Sequence, residues 1–215
     1  MEDLYENITP EYVHNIGYNV NKLLPIISFI RKDEDSSFFR IIFQKYENFI
    51  CWFLIDFYYA TTTDLDKLFS TDSEDRKNEI KINYSAYLKR NFIFNLQMFI
   101  ESELRNIAYE FNISPRLNDK GKHIPIVQIM DKFKTLENTH ESQENRDFIL
   151  LITNLRYIIH NGMIHHGYDK SYHFKEINYT FQFINNKDMR FLLKWVPHFL
   201  QKTLDLLISI RKEIN

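Results

Sequence analysis

Apolar and polar positions alternate with a helical period through most of the chain. Thr9 precedes Pro10, and Val13, Ile16, Val20, Leu23 and Leu24 follow at helical spacing. This predicts a first helix capped by Thr9 with proline at its first position. Pro25 is expected to kink or end it before Ile30. Residues 31–36 (RKDEDS) read as a charged connection, with Ser36 or Ser37 as the next cap. Over residues 38–59 a second helix is predicted, because Phe39, Ile42, Phe43, Tyr46, Phe49, Ile50, Phe53, Leu54 and Phe57 make one wide stripe. An aromatic stripe of this kind reads as core, since each ring buries a large area. The β-branched run Thr61, Thr62 and Thr63 is expected to end that helix. Residues 64–81 are polar with mixed charge and read as a solvated loop or face.

A third helix is predicted over residues 85–111, on Leu88, Phe92, Phe94, Leu96, Phe99, Ile100, Leu104, Ile107 and Ala108. Glu101 and Glu103 lie near Arg105 on it. Either they form surface pairs at helical spacing, or Glu101 turns inward and supports an arginine from another part of the chain. Pro115, Gly121 and Pro125 mark residues 112–125 as a loop. Residues 126–136 read as a short helix and 137–145 as a polar connection, with Asn145 as the cap of the next helix. After Gly167 the period shortens, and Tyr172, Phe174, Ile177, Tyr179, Phe181 and Phe183 approach alternation. That predicts one or two short strands, followed by a turn at residues 185–188. A last helix is expected over residues 189–214, with Pro197 either kinking it or marking its restart. The fold class is therefore all-α with a short β-hairpin before the C-terminal helix. Residues 1–83 form N-terminal helices packed on a bundle of residues 84–215, within one continuous domain.

Composition narrows the chemistry. The chain has 215 residues, 44% of them hydrophobic, with 19 Phe and 13 Tyr, which is a globular composition. Only four Gly and five Pro occur, which disfavours Gly-rich phosphate loops and turn-rich β-sandwiches. A net charge of −2 provides no global attraction for nucleic acid, although a local basic patch is compatible with it. Cys51, the single cysteine, lies in an aromatic run and reads as a small buried hydrophobe. The acidic N-terminus lacks the layout of a signal peptide, and no long uncharged apolar run occurs. A soluble, cytoplasmic protein without a membrane partner is expected.

Candidate chemistry concentrates in residues 148–167, FILLITNLRYIIHNGMIHHG. On a helical wheel Phe148, Ile152, Leu155 and Ile159 fall on one core-facing side. Arg156 and His160 lie about 40° apart on its flank and can converge on one ligand. Asn161 and Gly162 are expected to end the helix, as residues that tolerate a left-handed conformation. A guanidinium holds a phosphate bidentately, and an imidazole exchanges protons near neutral pH, so the pair suits metal-independent phosphoryl transfer on RNA. The alternative is structural, with His160 favoured by the helix C-terminus and Arg156 in a surface ion pair. A metal site would draw on His160, His165 and His166 with Asp169 and His173, but neither HExxH nor paired Cys motifs occur. His165 and His166 read as bystanders. No GxSxG, GxxxxGK[ST] or GxGxxG is present, and no cofactor is expected.

A long helix carrying NLQMFIESELRNIA, then a loop and short helix, then LRYIIHNG closing a helix, resembles the HEPN superfamily. The likeness is to its larger abortive-infection and toxin–antitoxin members, and covers roughly residues 84–183. In that pattern an Arg is followed by a polar residue and, after four to six intervening residues, a His. Arg156, His160 and Asn161 match, with three residues intervening and Tyr157 after the Arg. The resemblance implies a homodimeric helical bundle with metal-independent endoribonuclease activity, acting as a toxin or phage-defence effector with an antitoxin or defence-system partner. His160 would then handle the proton of the attacking or leaving oxygen, Arg156 the phosphorane charge, and Glu101 and Asn161 their orientation. Other members of the family are non-catalytic modules that bind a nucleotide, RNA or protein partner.

Overall fold

The computed structural model describes residues 9–62, 73–137, 139, 142–161, 164–174, 177–187 and 191–214, with the backbone alone at 60–62, 74, 78 and 81. Its chain order is α1 (Pro10–Asn21), α2 (Leu23–Lys32), α3 (Ser37–Thr62), α4 (Glu74–Glu110), α5 (Ile126–Met130), α6 (Gln143–His160), β1 (Lys170–Phe174), β2 (Tyr179–Phe183) and α7 (Val196–Ile214). The protein is mostly helical, with the antiparallel hairpin before the last helix as the sequence predicts. Two compact units divide it: residues 1–92 with 191–201, and residues 93–190 with 202–215.

In the first unit α1 and α2 pack on α3. Thr9 caps α1, its Oγ1 accepting the Tyr12 amide at 3.1 Å, and Pro10 occupies the first turn. Thr9→Ala should cost this helix about 1 kcal/mol. Hydrogen exchange will read that as faster exchange confined to the first turn of α1. Pro25 breaks the chain earlier than expected, because it cannot complete a hydrogen bond to Asn21 and its ring crowds that carbonyl. The helix therefore ends at Asn21, and α2 begins at Leu23 with Pro25 in its first turn and runs past Ile30 to Lys32. Ser36 caps α3, accepting the Phe39 amide at 3.4 Å. The α3 stripe is core: Phe39, Phe43, Tyr46 and Phe57 are fully buried. Phe53, Phe92, Phe191 and Phe199 continue it as a chain of ring contacts between 5.2 and 6.0 Å. Tyr46 donates its hydroxyl hydrogen to the Leu200 carbonyl. Cys51 is half-buried, and its thiol is pushed up by burial and by the Glu47 charge, so it is not an activated nucleophile.

The polar run preceding residue 85 is, from Glu74 on, a solvated helix face rather than a loop. Residues 64–72 lie outside the described residues, but Glu74 to Lys81 are helical, so α4 begins well before residue 85. Ser73 caps it, with its carbonyl accepting the Lys77 amide at 3.1 Å, and Arg76 pairs with Glu79 at 3.2 Å. Polarity marked an exposed face there, and a cap plus good helix formers suffice to make it a helix. α4 contributes residues to Phe92 to the first unit and those from Ile93 to the second.

The second unit is built round α6. Asn145 is not its cap: the helix starts at Gln143, and Ser142 holds the cap position. The Ser142 hydroxyl donates to the Glu137 carbonyl at 2.6 Å, tying down the connection instead of the helix. The expected helix over 126–136 is shorter, with α5 ending at Met130 and a separate 3-10 turn at Lys134–Leu136. Arg146 is buried and joins these pieces, reaching Asp131 at 2.7 Å and the Leu136 carbonyl at 2.9 Å. Phe148, Ile152 and Leu155 are core as expected, while Ile159 is half-buried. Tyr172, Phe174, Phe181 and Phe183 form the buried face of the hairpin. Phe174 meets Phe148 edge-on at 6.3 Å, and Asn154 donates to the Tyr172 hydroxyl at 2.8 Å. From α7, the Glu213 carboxylate accepts the Lys134 and Thr135 amides at 2.6 and 2.9 Å, and Lys202 pairs with Glu144 at 2.7 Å. Pro197 lies in the first turn of α7, after a 3-10 turn at Leu193–Trp195, so the last helix starts at Val196 and not at residue 189.

Candidate functional site

Arg156 and His160 occupy the last turns of α6, four residues apart, and both turn to one ring of α4. The Arg156 guanidinium carbon lies 5.0 Å from the Phe94 centroid, and the His160 ring meets Phe94 edge-on at 5.9 Å. Arg156 is half-buried and His160 exposed. Neither imidazole nitrogen of His160 makes a hydrogen bond among the described residues. Tyr157, the residue after the Arg, is 49% exposed.

The guanidinium is held from α4 by a line of side chains. Arg156 Nη1 donates to Gln97 Oε1 at 2.7 Å, and Gln97 Nε2 donates to Glu101 Oε2 at 2.6 Å. Glu101 Oε1 then accepts Arg105 Nη2 at 2.7 Å and Nε at 3.1 Å, while Arg105 Nη1 donates to the Ile124 carbonyl at 2.6 Å. Glu101 thus pairs with Arg105 at i,i+4 and reaches Arg156 only through Gln97, while the carboxylate that α4 buries is Glu103. Glu101 and Gln97 line a recess together with Ile100, Ile149, Ile152 and Thr153. Burial there works against the carboxylate, but hydrogen bonds from Arg105 and Gln97, with the charges of Arg105 and Arg156, outweigh it and hold the Glu101 pKa below its usual 4.5. Since the folded value lies below the unfolded one, Glu101 contributes stability that is present above pH 4.5 and lost as pH falls through its folded pKa. Urea midpoints measured downward from pH 5 should fall less steeply for Glu101→Gln than for the wild type.

Asn161 is the C-cap of α6, but its φ of −97° is not left-handed, so it ends the helix without the conformation expected of it. Gly162 lies outside the described residues. The Asn161 Nδ2 and the Arg156 Nε are buried without a partner among the described residues. His165 and His166 do not join the site. His165 is 3% exposed, with Nε2 at 3.0 Å from the Tyr168 carbonyl and its ring edge-on to Phe183 at 5.6 Å. A carbonyl only accepts, so Nε2 carries the hydrogen. His166 Nδ1 lies 3.1 Å from Asn186 Oδ1, and both histidines thus belong to the base of the hairpin. Among the described residues no group of three His, Cys, Asp or Glu side chains is placed to hold a metal ion.

Sequence reasoning assigned Phe94 to a core stripe and passed over Gln97. A signal existed, since Gln97, Glu101 and Arg105 recur every fourth residue and so share one face of α4. Comparison with protein-family models, with curated proteins and with solved structures finds no match. No helix among the described residues is long and apolar enough to cross a membrane.

Proposed function

We propose that the chain is a metal-independent endoribonuclease of HEPN type, working as a homodimer and serving as a toxin or phage-defence effector. The observation that carries this reading is the pairing of an accessible imidazole with a guanidinium held by hydrogen bonds, on one helix flank and around one aromatic ring. His160 takes the proton of a ribose 2′-hydroxyl as its oxygen attacks phosphorus. The bond to the 5′-oxygen then breaks, and that oxygen gains a proton from a second imidazole or from water. Arg156 carries the charge that grows on the non-bridging oxygens, and Glu101 and Asn161 orient the pair. A second copy sets its own Arg156 and His160 across the same cleft. A protein antitoxin or defence-system partner would act by covering this flank.

The test is cleavage of single-stranded RNA in excess EDTA. Products ending in a 2′,3′-cyclic phosphate are expected, with kcat lowered about 10²–10³-fold by Arg156→Ala. Activity lost only with EDTA, or equal in the variant, would remove the reading. One observation favours a second reading, a non-catalytic module that binds a nucleotide or RNA: Arg156 is already engaged by Gln97 and Phe94. A guanidinium needs no proton transfer to hold a phosphate, so the same grip also serves binding alone. RNA binding that depends on Arg156 without any cleavage is its expected result.

A further inference from the structure

We infer that Gln97 is the positioning residue for Arg156, and that the Glu101 carboxylate decides which way the Gln97 amide faces. Gln97 is 5% exposed and lies between two groups of opposite demand. A carboxylate only accepts hydrogen bonds, and a guanidinium only donates them. The amide oxygen therefore points to Arg156 and its nitrogen to Glu101, as the 2.7 and 2.6 Å contacts have it. Rotating the amide by 180° would set NH₂ against guanidinium and oxygen against carboxylate, losing both bonds together. The usual ambiguity of a carboxamide is absent here, because each neighbour excludes the wrong end. Arg105 holds Glu101 in turn and is anchored to the Ile124 carbonyl, so the line begins on backbone outside α4.

With Nη1 directed to Gln97 and the guanidinium over Phe94, rotation of Arg156 about its long side chain is stopped at two points. A guanidinium held before substrate arrives loses less freedom on binding and needs no reorganisation as charge develops. Its effect in the reaction thus falls on kcat more than on KM. That kinetic arm rests on the ribonuclease reading, whereas the positioning itself does not.

The experiment follows the Arg156 Nη1–H signal in ¹⁵N spectra of the full chain, assigned by its loss in Arg156→Lys. RNA cleavage is measured on the same preparations. In the wild type the signal should be resolved and slow to exchange with solvent. Gln97→Met keeps the volume and removes both hydrogen bonds, so exchange should quicken at least about tenfold. In the same variant kcat should fall about a hundredfold with KM inside about threefold. Gln97→Glu combined with Glu101→Gln exchanges the two groups, so that the carboxylate accepts from Arg156 and from the amide, whose oxygen still accepts from Arg105; this double variant should keep the signal, which guards against a Gln97→Met chain that fails to fold. Glu101→Gln can both donate and accept, so it should quicken exchange part of the way. An Arg156 signal unchanged in Gln97→Met, or lost equally in the double variant, would overturn the inference. If no preparation cleaves RNA, the ribonuclease reading falls, and the spectra still decide the role of Gln97.

Discussion

His160→Ala should lower RNA cleavage by about 10²–10⁴-fold, the range in which a positioned proton-transfer group contributes. The same substitution should leave the fold almost untouched. The imidazole is exposed, and its one ring contact among the described residues is the edge-on approach to Phe94 at 5.9 Å. Surface changes of this sort alter stability by no more than about 0.5 kcal/mol. Loss of turnover with an unchanged urea midpoint therefore separates chemistry from folding. Initial rates on a labelled single-stranded RNA, with EDTA present throughout, make the measurement. A variant that still cleaves at the wild-type rate would show either that His160 has no part in the reaction or that a contaminant supplies the activity.

Phe148→Ala should have the opposite signature, a large loss of stability at a residue that touches no substrate. Phe148 is fully buried on α6 and meets Phe174 of β1 edge-on. Removing the ring takes away its transfer free energy and leaves a cavity against the hairpin, together about 3–5 kcal/mol. Much of a domain's net stability is of that size. Urea unfolding followed by aromatic circular dichroism should show a lower midpoint. Exchange protection should vanish first at residues 170–174 and 179–183. A change under about 1 kcal/mol would mean that the hairpin does not depend on this contact.

What the sequence made legible followed from periodicity and local capping. The α3 stripe, the Thr9–Pro10 start of α1 and the alternation through Tyr172, Phe174, Phe181 and Phe183 all carry information within a few residues of themselves. Polarity alone does not separate a loop from a solvated helix face, as in the first turns of α4, and neighbouring candidates for one cap obscure a helix start, as at Ser142 and Asn145. Arg156 and His160 were visible as neighbours because helical spacing alone makes them so. Gln97 was not, because its meaning depends on a partner 59 residues away. Phe94 has the composition of core and the position of a platform, and only the packing of α4 against α6 distinguishes the two.

The C-terminal helix has a consequence for the order in which the protein is made. Its residues up to Gln201 belong to the first unit, and those from Lys202 to the second. Glu213 reaches back 79 residues to the amide of Lys134, and Lys202 reaches back 58 to Glu144. Synthesis runs from the N-terminus, and contacts with such separations form only once both ends exist. While residues 191–214 remain on the ribosome, neither unit has its full set of partners. The ties that brace the start of α6 close only after α7 has left the ribosome, so Arg156 and His160 emerge on a helix whose support is still incomplete.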